Sequence, residues 1–147
     1  MWIAFQLTQS QIGEMLRKYK VIAVVGLSRE FEKDSHRVSD YLKQNGYQII
    51  PVNAFADEVL GEKSYKSLLD IPLEMQKTIE IVDIFRPPKD VQPIVEQAIK
   101  LKALNGTLFV VWMQLGIINE EAAELATRTG LVVVMDKCLM VEHHRLA

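Results

Sequence analysis

The chain has 147 residues, which suffice for one domain with a buried core and are too few for two ordinary domains. Hydrophobic residues make up 49% and charged residues 24%, as in globular proteins, and a net charge of −2 provides no field that would attract nucleic acid or an anionic membrane. The single cysteine fits a reducing compartment, residues 1–6 are too short and uncharged for a signal peptide, and no run is long enough for a membrane helix. We therefore expect a cytoplasmic protein that forms one domain over residues 1–147.

The first part of the chain predicts two helices and two strands. Thr8 and Gln11 have the spacing of a capping box, and apolar residues at helical spacing follow them. The next apolar run is β-branched and does not alternate with polar residues, which is typical of a strand covered on both faces. Pro51 belongs near the end of the second strand, because an interior proline would remove a ladder hydrogen bond. The predicted elements are a helix over residues 8–20, a strand over Val21–Val25, a helix from Ser35 that stops at Gly46, and a strand over Tyr47–Asn53.

The rest of the chain continues this alternation. Asp90 and Asn119 are each expected to cap a helix, because their side chains can accept hydrogen bonds from the free N–H groups of a first helical turn. Residues 54–63 are predicted to form a loop, and the tail after residue 135 is short and of mixed polarity. The predicted elements are a short helix over Ser64–Ile71 ended by Pro72, strands over Ile79–Phe85, Thr107–Met113 and Leu131–Met135, a helix after Asp90, and a helix from Asn119 to Gly130.

Strands that alternate with helices predict an α/β fold, built on a single Rossmann-like, doubly wound parallel sheet of about five strands. We expect the strand order 3-2-1-4-5, which places the switch point between the first and fourth strands. Ligands of such sheets bind at that crevice, outside the carboxyl ends of the strands. The residues expected there are Gly26, Leu27, Ser28, Asn53, Phe85, Arg86, Pro87, Gln114, Leu115 and Gly116.

The turn after the first strand has the features of a phosphate site. Gly26 allows a tight turn and a close approach of a ligand to the main chain, and the next helix points its free N–H groups at the same place. The alternative is a plain turn that binds nothing. A NAD site would need G-x-G-x-x-G and an acid at the end of the second strand, whereas this loop has one glycine and the strand ends in Asn53. A P-loop motif is absent as well, so we expect another phosphorylated ligand.

Five short stretches together resemble a known family. They are Gly26-Leu27-Ser28, Asp34-Ser35-His36-Arg37-Val38, Pro51-Val52-Asn53, Asp83-Ile84-Phe85-Arg86-Pro87-Pro88 and Gln114-Leu115-Gly116-Ile117. In these stretches the chain resembles the small bacterial and archaeal CoA-binding proteins, which are stand-alone Rossmann-like domains similar to the CoA-binding domain of the succinyl-CoA synthetase alpha subunit. The resemblance covers roughly residues 21–146.

The resemblance implies that coenzyme A lies across the carboxyl end of the sheet with its phosphates on the Gly26 turn. Ser28 and Ser35 would donate further hydrogen bonds from their hydroxyls, and Asn53 in place of an acid fits a phosphorylated ribose. Phe85 and Pro87 would offer flat apolar surface to the adenine or to the pantetheine arm. The cations that could meet the 3′-phosphate are Arg29, Lys33, Arg37 and Arg86. For Arg29 and Lys33, an ordinary solvated loop is the alternative.

Catalysis is not expected from this chain alone. The synthetases use a phosphorylated histidine in a second domain and a second subunit with an ATP-grasp fold, and the chain has room for neither. A tail cluster of Cys138, Glu142, His143 and His144 does not match the spacing of a structural zinc site, so neither a metal ligand nor a catalytic residue is expected. Cys138 is either a small buried hydrophobe or a thiol that exchanges with CoA disulfide, forming a mixed disulfide and releasing CoA thiol.

The expected function is non-catalytic binding of coenzyme A or an acyl-CoA, with no nucleic-acid or membrane partner. Two other functions stay open. One is a component of an acyl-CoA ligase-like enzyme that needs a partner subunit, and the other is a NAD-binding Rossmann protein, against which the one-glycine loop and Asn53 argue. The apolar stretch Leu139–Val141 can pack internally or form a homodimer surface, and an unidentified protein partner also stays open.

Overall fold

The computed structural model describes residues 7–146, so that the apolar start over residues 1–6 and the last residue lie outside the described part. The strands are β1 (Val21–Val25), β2 (Gln48–Val52), β3 (Glu58–Val59), β4 (Glu62–Lys63), β5 (Ile81–Ile84), β6 (Val110–Met113) and β7 (Val132–Val134). The α-helices are α1 (Gln9–Lys18), α2 (Asp34–Gln44), α3 (Leu73–Gln76), α4 (Val91–Asn105), α5 (Glu120–Arg128) and α6 (Leu139–His144). Within residues 7–146, no helix has the length and apolar character needed to cross a bilayer.

The predicted α/β fold class is confirmed, and the predicted strand order is wrong. Five strands form one parallel sheet in the order β2-β1-β5-β6-β7, which is 2-1-3-4-5 in terms of the five predicted strands rather than 3-2-1-4-5. Val24 of β1 pairs with Pro51 on one side and with Asp83 of β5 on the other. The chain therefore leaves β1 for the edge strand β2 and returns to β5 on the opposite side, so that the switch point lies between β1 and β5.

The position of Pro51 explains why β2 lies at the edge. The amide of Gln48 donates to the Lys20 carbonyl at 2.8 Å, and the Gly26 amide donates to the Val52 carbonyl at 2.9 Å, so that the even-numbered residues of β2 bond to β1. Pro51 alternates with them and points its nitrogen at the outer edge, where a missing N–H breaks no bond of the sheet. The predicted order would have placed this strand between two neighbours and left one of them without a donor.

Helices cover both faces of the sheet, as a doubly wound fold requires. One apolar cluster contains Ala23 and Val25 of β1 and is covered by the buried faces of α4 and α5. The opposite cluster contains Ile22 and Val24, together with buried residues of α1, α2 and α6. Alternate residues of β1 therefore enter different cores, which is why this strand is apolar without alternation.

Two predicted helix caps are confirmed and one is wrong. The Thr8 side chain accepts a hydrogen bond from the Gln11 amide, and the Gln11 side chain accepts one from the Thr8 amide. The Asn119 side chain accepts from the Ala122 amide. Asp90 lies before α4 with near-helical backbone angles and makes no capping bond with its side chain. Its carboxylate instead accepts from Arg86 at 2.9 Å, so that a local ion pair has replaced the cap.

Other differences lie in the connections. The predicted loop over residues 54–63 contains the hairpin β3–β4, which turns through Leu60 and Gly61 with positive φ angles. In place of the predicted helix over Ser64–Ile71, the structure has only a 3₁₀ turn over Leu68–Asp70. Pro72, which was predicted to end that helix, instead precedes the first residue of α3. The tail forms the additional short helix α6, whose buried Leu139 packs in the cluster on the α1 and α2 face.

Candidate functional site

A cleft of about 590 Å³ opens at the carboxyl ends of β1, β2 and β5. We call it the switch-point cleft, because it lies where the chain path changes direction across the sheet. It brings together four of the residues predicted from the sequence, which are Gly26, Ser28, Asn53 and Arg86. It is also lined by residues that the sequence analysis did not identify, among them Phe55, Lys66, Ser67, Asp90, Ile94 and Gln97.

Gly26 is required by both its conformation and its surroundings. Its φ is +88°, a left-handed conformation that side chains with a Cβ disfavour. A Cβ at this position would lie 2.4 Å from the carbonyl oxygen of Phe85 and 3.0 Å from Cδ of Arg86. The space beside Gly26 is therefore filled by the turn after β5. Glycine here allows the ends of two neighbouring strands to meet at the floor of the cleft.

The loop between β1 and α2 is closed by its own serines. The Ser28 amide donates to Oγ of Ser35 at 2.9 Å, and the Glu30 amide donates to Oγ of Ser28 at 3.0 Å. Since both hydroxyl oxygens accept backbone N–H groups, each hydroxyl hydrogen remains able to donate elsewhere. Ser28 lines the cleft, whereas Ser35 is buried behind it at the start of α2.

Asn53 fastens the loop after β2 to the loop after β1. Its Nδ2 donates to the Leu27 carbonyl at 2.9 Å, while its Oδ1 accepts from the amides of Phe55 and Ala56 at 2.7 and 3.1 Å. An aspartate would lose the donor and place a carboxylate against a carbonyl oxygen. The structure therefore gives this amide a positioning role, in addition to its place on the cleft wall.

The charges of the cleft come from three lining side chains, Lys66, Arg86 and Asp90. Nη2 of Arg86 donates to Oδ2 of Asp90 at 2.9 Å, so that this cation is already partly neutralised. Lys66 is exposed and forms no ion pair within residues 7–146. The cleft thus has a net positive charge, and Lys66 is its uncompensated cation.

Phe55 lies at the rim of the cleft and is almost completely exposed to solvent. The residue is 93% exposed, although the amides of Phe55 and Ala56 both donate to Oδ1 of Asn53. Phe31, in the loop before α2, is also 78% exposed but does not line the cleft. A phenyl ring presented by a fixed turn beside a cationic cleft offers a flat apolar face to a ligand.

Three predicted residues belong to the turn after β6, at a distance from the cleft. Gln114 is buried, Leu115 is 70% exposed, and the Gly116 amide donates to Oδ1 of Asp136 at 2.7 Å. Because β5 separates β6 from β1, two strand spacings, or about 10 Å, lie between this turn and the end of β1. The corrected strand order is the reason that this turn does not line the cleft.

The other predicted residues also lie around the cleft rather than in its wall. Leu27 is fully buried in the core, so that only its backbone faces the loop. Phe85 is half-buried against the same core and Pro87 is exposed, and neither lines the cleft. Arg37 is engaged with the carboxylate of Asp34 and with the Glu32 carbonyl. Arg29 and Lys33 are exposed and lie outside the cleft lining.

Asp83 is a buried carboxyl group in the middle of the sheet. Its Oδ1 accepts from Nε2 of Gln114 at 2.7 Å, and its Oδ2 has no hydrogen-bond partner within residues 7–146. Burial raises the pKa of Asp83 to about 8, and the hydrogen bond from Gln114 opposes only part of that increase. The side chain faces the core that is covered by α1, α2 and α6, and it is not part of the cleft wall.

Two of the tail side chains considered as metal ligands, Glu142 and His143, bond to other residues of the protein. Glu142 is buried and accepts from Gln9 and Arg145, and Nδ1 of His143 lies 2.9 Å from the Tyr41 hydroxyl. Burial lowers the pKa of His143. In the described part of the chain, no three His, Cys, Asp or Glu side chains are placed to hold a metal ion. Cys138 is half-buried against the core and lies past the carboxyl end of β6, because the amides of its neighbours Lys137 and Leu139 bond to Met113 and Gln114.

Comparison with known proteins identifies relatives over nearly the whole chain. A family model described as a CoA binding domain matches residues 20–144. The uncharacterized protein YneT of Bacillus subtilis (strain 168) is 38% identical over 136 residues, which are 92% of this chain and 94% of that protein. The solved structure of a hypothetical protein from Pyrococcus horikoshii OT3 has a TM-score of 0.86 and 45% identity, covering 95% of this chain and 92% of that one. The ADP-forming acetate–CoA ligase II of Archaeoglobus fulgidus is 38% identical over 93 residues, which are 62% of this chain and only 13% of the ligase.

Proposed function

The chain belongs to the family of CoA-binding domains, and on this premise we propose that it binds coenzyme A or an acyl-CoA in the switch-point cleft without a catalytic step of its own. The observation that carries the proposal is the cleft itself, in which the Gly26 turn, Asn53 and Arg86 meet at the carboxyl edge of the sheet. In doubly wound folds, ligands bind at this position. We also propose a cytoplasmic location, because a single cysteine is typical of proteins in a reducing compartment.

The cleft offers the groups that a phosphorylated ligand needs. Ser28 supplies a hydroxyl, and Lys66 and Arg86 supply positive charge. The first turn of α2 has no side-chain cap, because Lys33 at the capping position makes no such bond. Its free N–H groups therefore remain available near the Ser28 end of the loop.

The side chains of the cleft favour binding over chemistry. Its lining residues, all within residues 7–146, include neither histidine nor cysteine. Their one carboxylate, Asp90, is held by Arg86. Within residues 7–146, the wall therefore lacks the usual general bases, a histidine or an unpaired carboxylate. We therefore assign the cleft the task of holding the ligand.

The test is isothermal titration of coenzyme A, dephospho-CoA and NAD in turn. We expect coenzyme A to bind, dephospho-CoA to bind more weakly, and NAD not to bind. Arg86→Ala should weaken the binding of coenzyme A, because the phosphates lose a charged hydrogen-bond donor. Arg128→Ala, an exposed change on α5 away from the cleft, is the matched control. Absence of coenzyme A binding at millimolar concentration would overturn the proposal.

A second function is favoured by the match to a ligase. The ADP-forming acetate–CoA ligase II of Archaeoglobus fulgidus is about eightfold longer than the segment it shares with this chain, since that segment is 13% of its length. On this alternative, the chain contributes the CoA site to a ligase-like enzyme whose other parts lie on a partner subunit. Co-purification of an ATP-grasp partner, with thioester formation from ATP, acetate and CoA only when both are present, would favour this function over binding alone.

A further inference from the structure

Resting on the proposed function, we infer that Phe55 and Lys66 form a subsite for the adenosine 3′-phosphate end of coenzyme A. Phe55 provides the face on which the adenine base stacks, and Lys66 provides the cation for the 3′-phosphate. Neither residue was among the candidates that the sequence analysis identified.

Phe55 carries the base-binding part of the inference. A phenyl ring that is 93% exposed keeps almost all of its apolar surface in water, although the preceding Asn53 fixes its turn with two hydrogen bonds. A single exposed apolar residue is ordinary, and what distinguishes Phe55 from the similarly exposed Phe31 is that Phe55 lines the cleft. An aromatic ring is a suitable face for any nucleobase, since every base has a π-face. In doubly wound folds, the end of the second strand is also the place where the ribose of a bound nucleotide lies.

Lys66 carries the phosphate-binding part. Of the two cations that line the cleft, Arg86 is paired with Asp90, whereas Lys66 has no carboxylate within 4.0 Å among residues 7–146. A phosphate that approaches Lys66 does not have to displace an existing ion pair. The same location explains how Asn53 can stand where dinucleotide-binding proteins have an acid, because an acid would repel a phosphorylated ribose.

The fold places the two side chains in neighbouring segments. The Asn53 amide donates to the Tyr65 carbonyl at 2.8 Å, and the Tyr65 amide donates to the Pro51 carbonyl at 3.1 Å. Residue 65 thus runs beside the end of β2. Lys66 is the next residue after Tyr65, and Phe55 is the second residue after Asn53. Arg86 approaches the cleft from the turn after β5, beside Gly26. The cleft therefore has an aromatic and cationic end at β2, and a separate cation next to the glycine turn.

The experiment measures the two halves of coenzyme A separately. Adenosine 3′,5′-bisphosphate, 5′-AMP and 4′-phosphopantetheine are titrated into the full chain and into Phe55→Ala, Phe55→Trp and Lys66→Gln. Phe31→Ala and Lys100→Gln are the matched controls, because both residues are exposed and lie outside the cleft. Circular dichroism verifies that each variant is folded.

We expect Phe55→Ala to weaken binding of the bisphosphate and of 5′-AMP on the order of tenfold. Binding of 4′-phosphopantetheine should be unchanged. Phe55→Trp should restore binding of the two adenine ligands, because it keeps an aromatic face. Lys66→Gln should lower the affinity for the bisphosphate about tenfold and change the affinity for 5′-AMP by no more than about twofold, because only the bisphosphate has the 3′-phosphate. The inference is overturned when coenzyme A binds to the wild type but Phe55→Ala and Lys66→Gln behave like the controls. Failure of coenzyme A to bind the wild type would instead overturn the proposed function.

Discussion

Replacement of Gly26 by alanine tests the contact between the ends of β1 and β5. A Cβ at residue 26 would lie 2.4 Å from the Phe85 carbonyl oxygen, and this oxygen belongs to backbone that is held in place by the Phe85 amide bonding to the Val25 carbonyl at 2.8 Å. The neighbour therefore cannot move aside by a simple side-chain rotation. A substitution here combines left-handed strain with overpacking.

The expected loss is large for a single methyl group. A left-handed conformation destabilises a residue with a Cβ by about 1–2 kcal/mol, and overpacking a well-filled site adds about 1–3 kcal/mol. We therefore expect Gly26→Ala to lower the free energy of unfolding by about 2–5 kcal/mol. That is a considerable part of the roughly 5–15 kcal/mol that stabilises an ordinary domain. Urea denaturation measures the difference.

Gly106→Ala is the matched control, because it separates the two contributions. Gly106 also has a positive φ, +74°, but a Cβ there would meet nothing within 4 Å. This variant should therefore lose only the strain contribution, about 1–2 kcal/mol. The reasoning would be refuted if both variants lost the same free energy of unfolding, since the contact with Phe85 would then contribute nothing.

Two further predictions concern the buried carboxyl group and the amide that fastens the loops. Because Asp83 has a pKa of about 8 in the folded state, well above that of a free aspartate, folding takes up a proton between about pH 5 and pH 7.5. Because of this group, the free energy of unfolding should fall by about 1.4 kcal/mol for each unit of pH increase in that range. Asp83→Asn should remove this contribution to the pH dependence. Equal pH slopes for both proteins, measured by urea denaturation, would contradict the raised pKa of Asp83. Asn53→Asp should lower the free energy of unfolding by about 1–3 kcal/mol, because a carboxylate replaces the donor to the Leu27 carbonyl. The same change at the exposed Asn45, where water can replace the bond to a carbonyl, should have a smaller effect, and the opposite ranking would contradict the role of Asn53.

The sequence predicts the elements of this fold better than their arrangement. The alternation of β-branched runs with amphipathic segments locates the five long strands, and the side chains of Thr8 and Asn119 locate two helix starts. Strand order does not follow from alternation, because both 3-2-1-4-5 and 2-1-3-4-5 satisfy right-handed crossovers. The signal that distinguishes them is Pro51. A proline near the end of a strand is tolerated at an edge, and only the second order puts this strand there.

The candidate site shows the same limit. Gly26, Ser28, Asn53 and Arg86 follow apolar strands directly, so the end of each strand identifies them. Phe55 and Lys66 lie in the connection after β2, where their position depends on the backbone pairing of residue 65 with β2. One local signal was available, namely a phenylalanine in an otherwise mixed loop.

Leu27 shows which part of a motif residue can face a ligand. It lies inside the motif that resembles the family, yet its side chain is fully buried in the core and only its backbone reaches the loop. Membership of a motif therefore locates the backbone of a residue, while burial decides what its side chain can contact.

The most direct test of the central claim is a titration of the isotope-labelled chain with coenzyme A, followed through its backbone amide resonances. We expect the largest shifts to cluster around the switch-point cleft, at residues 26–28, 53–55, 66–67 and 86. Largest shifts at residues 115–118 and 136–139 would place the ligand at the turns after β6 and β7, outside the switch-point cleft, and would contradict the central claim. Unchanged resonances at millimolar coenzyme A would contradict binding itself.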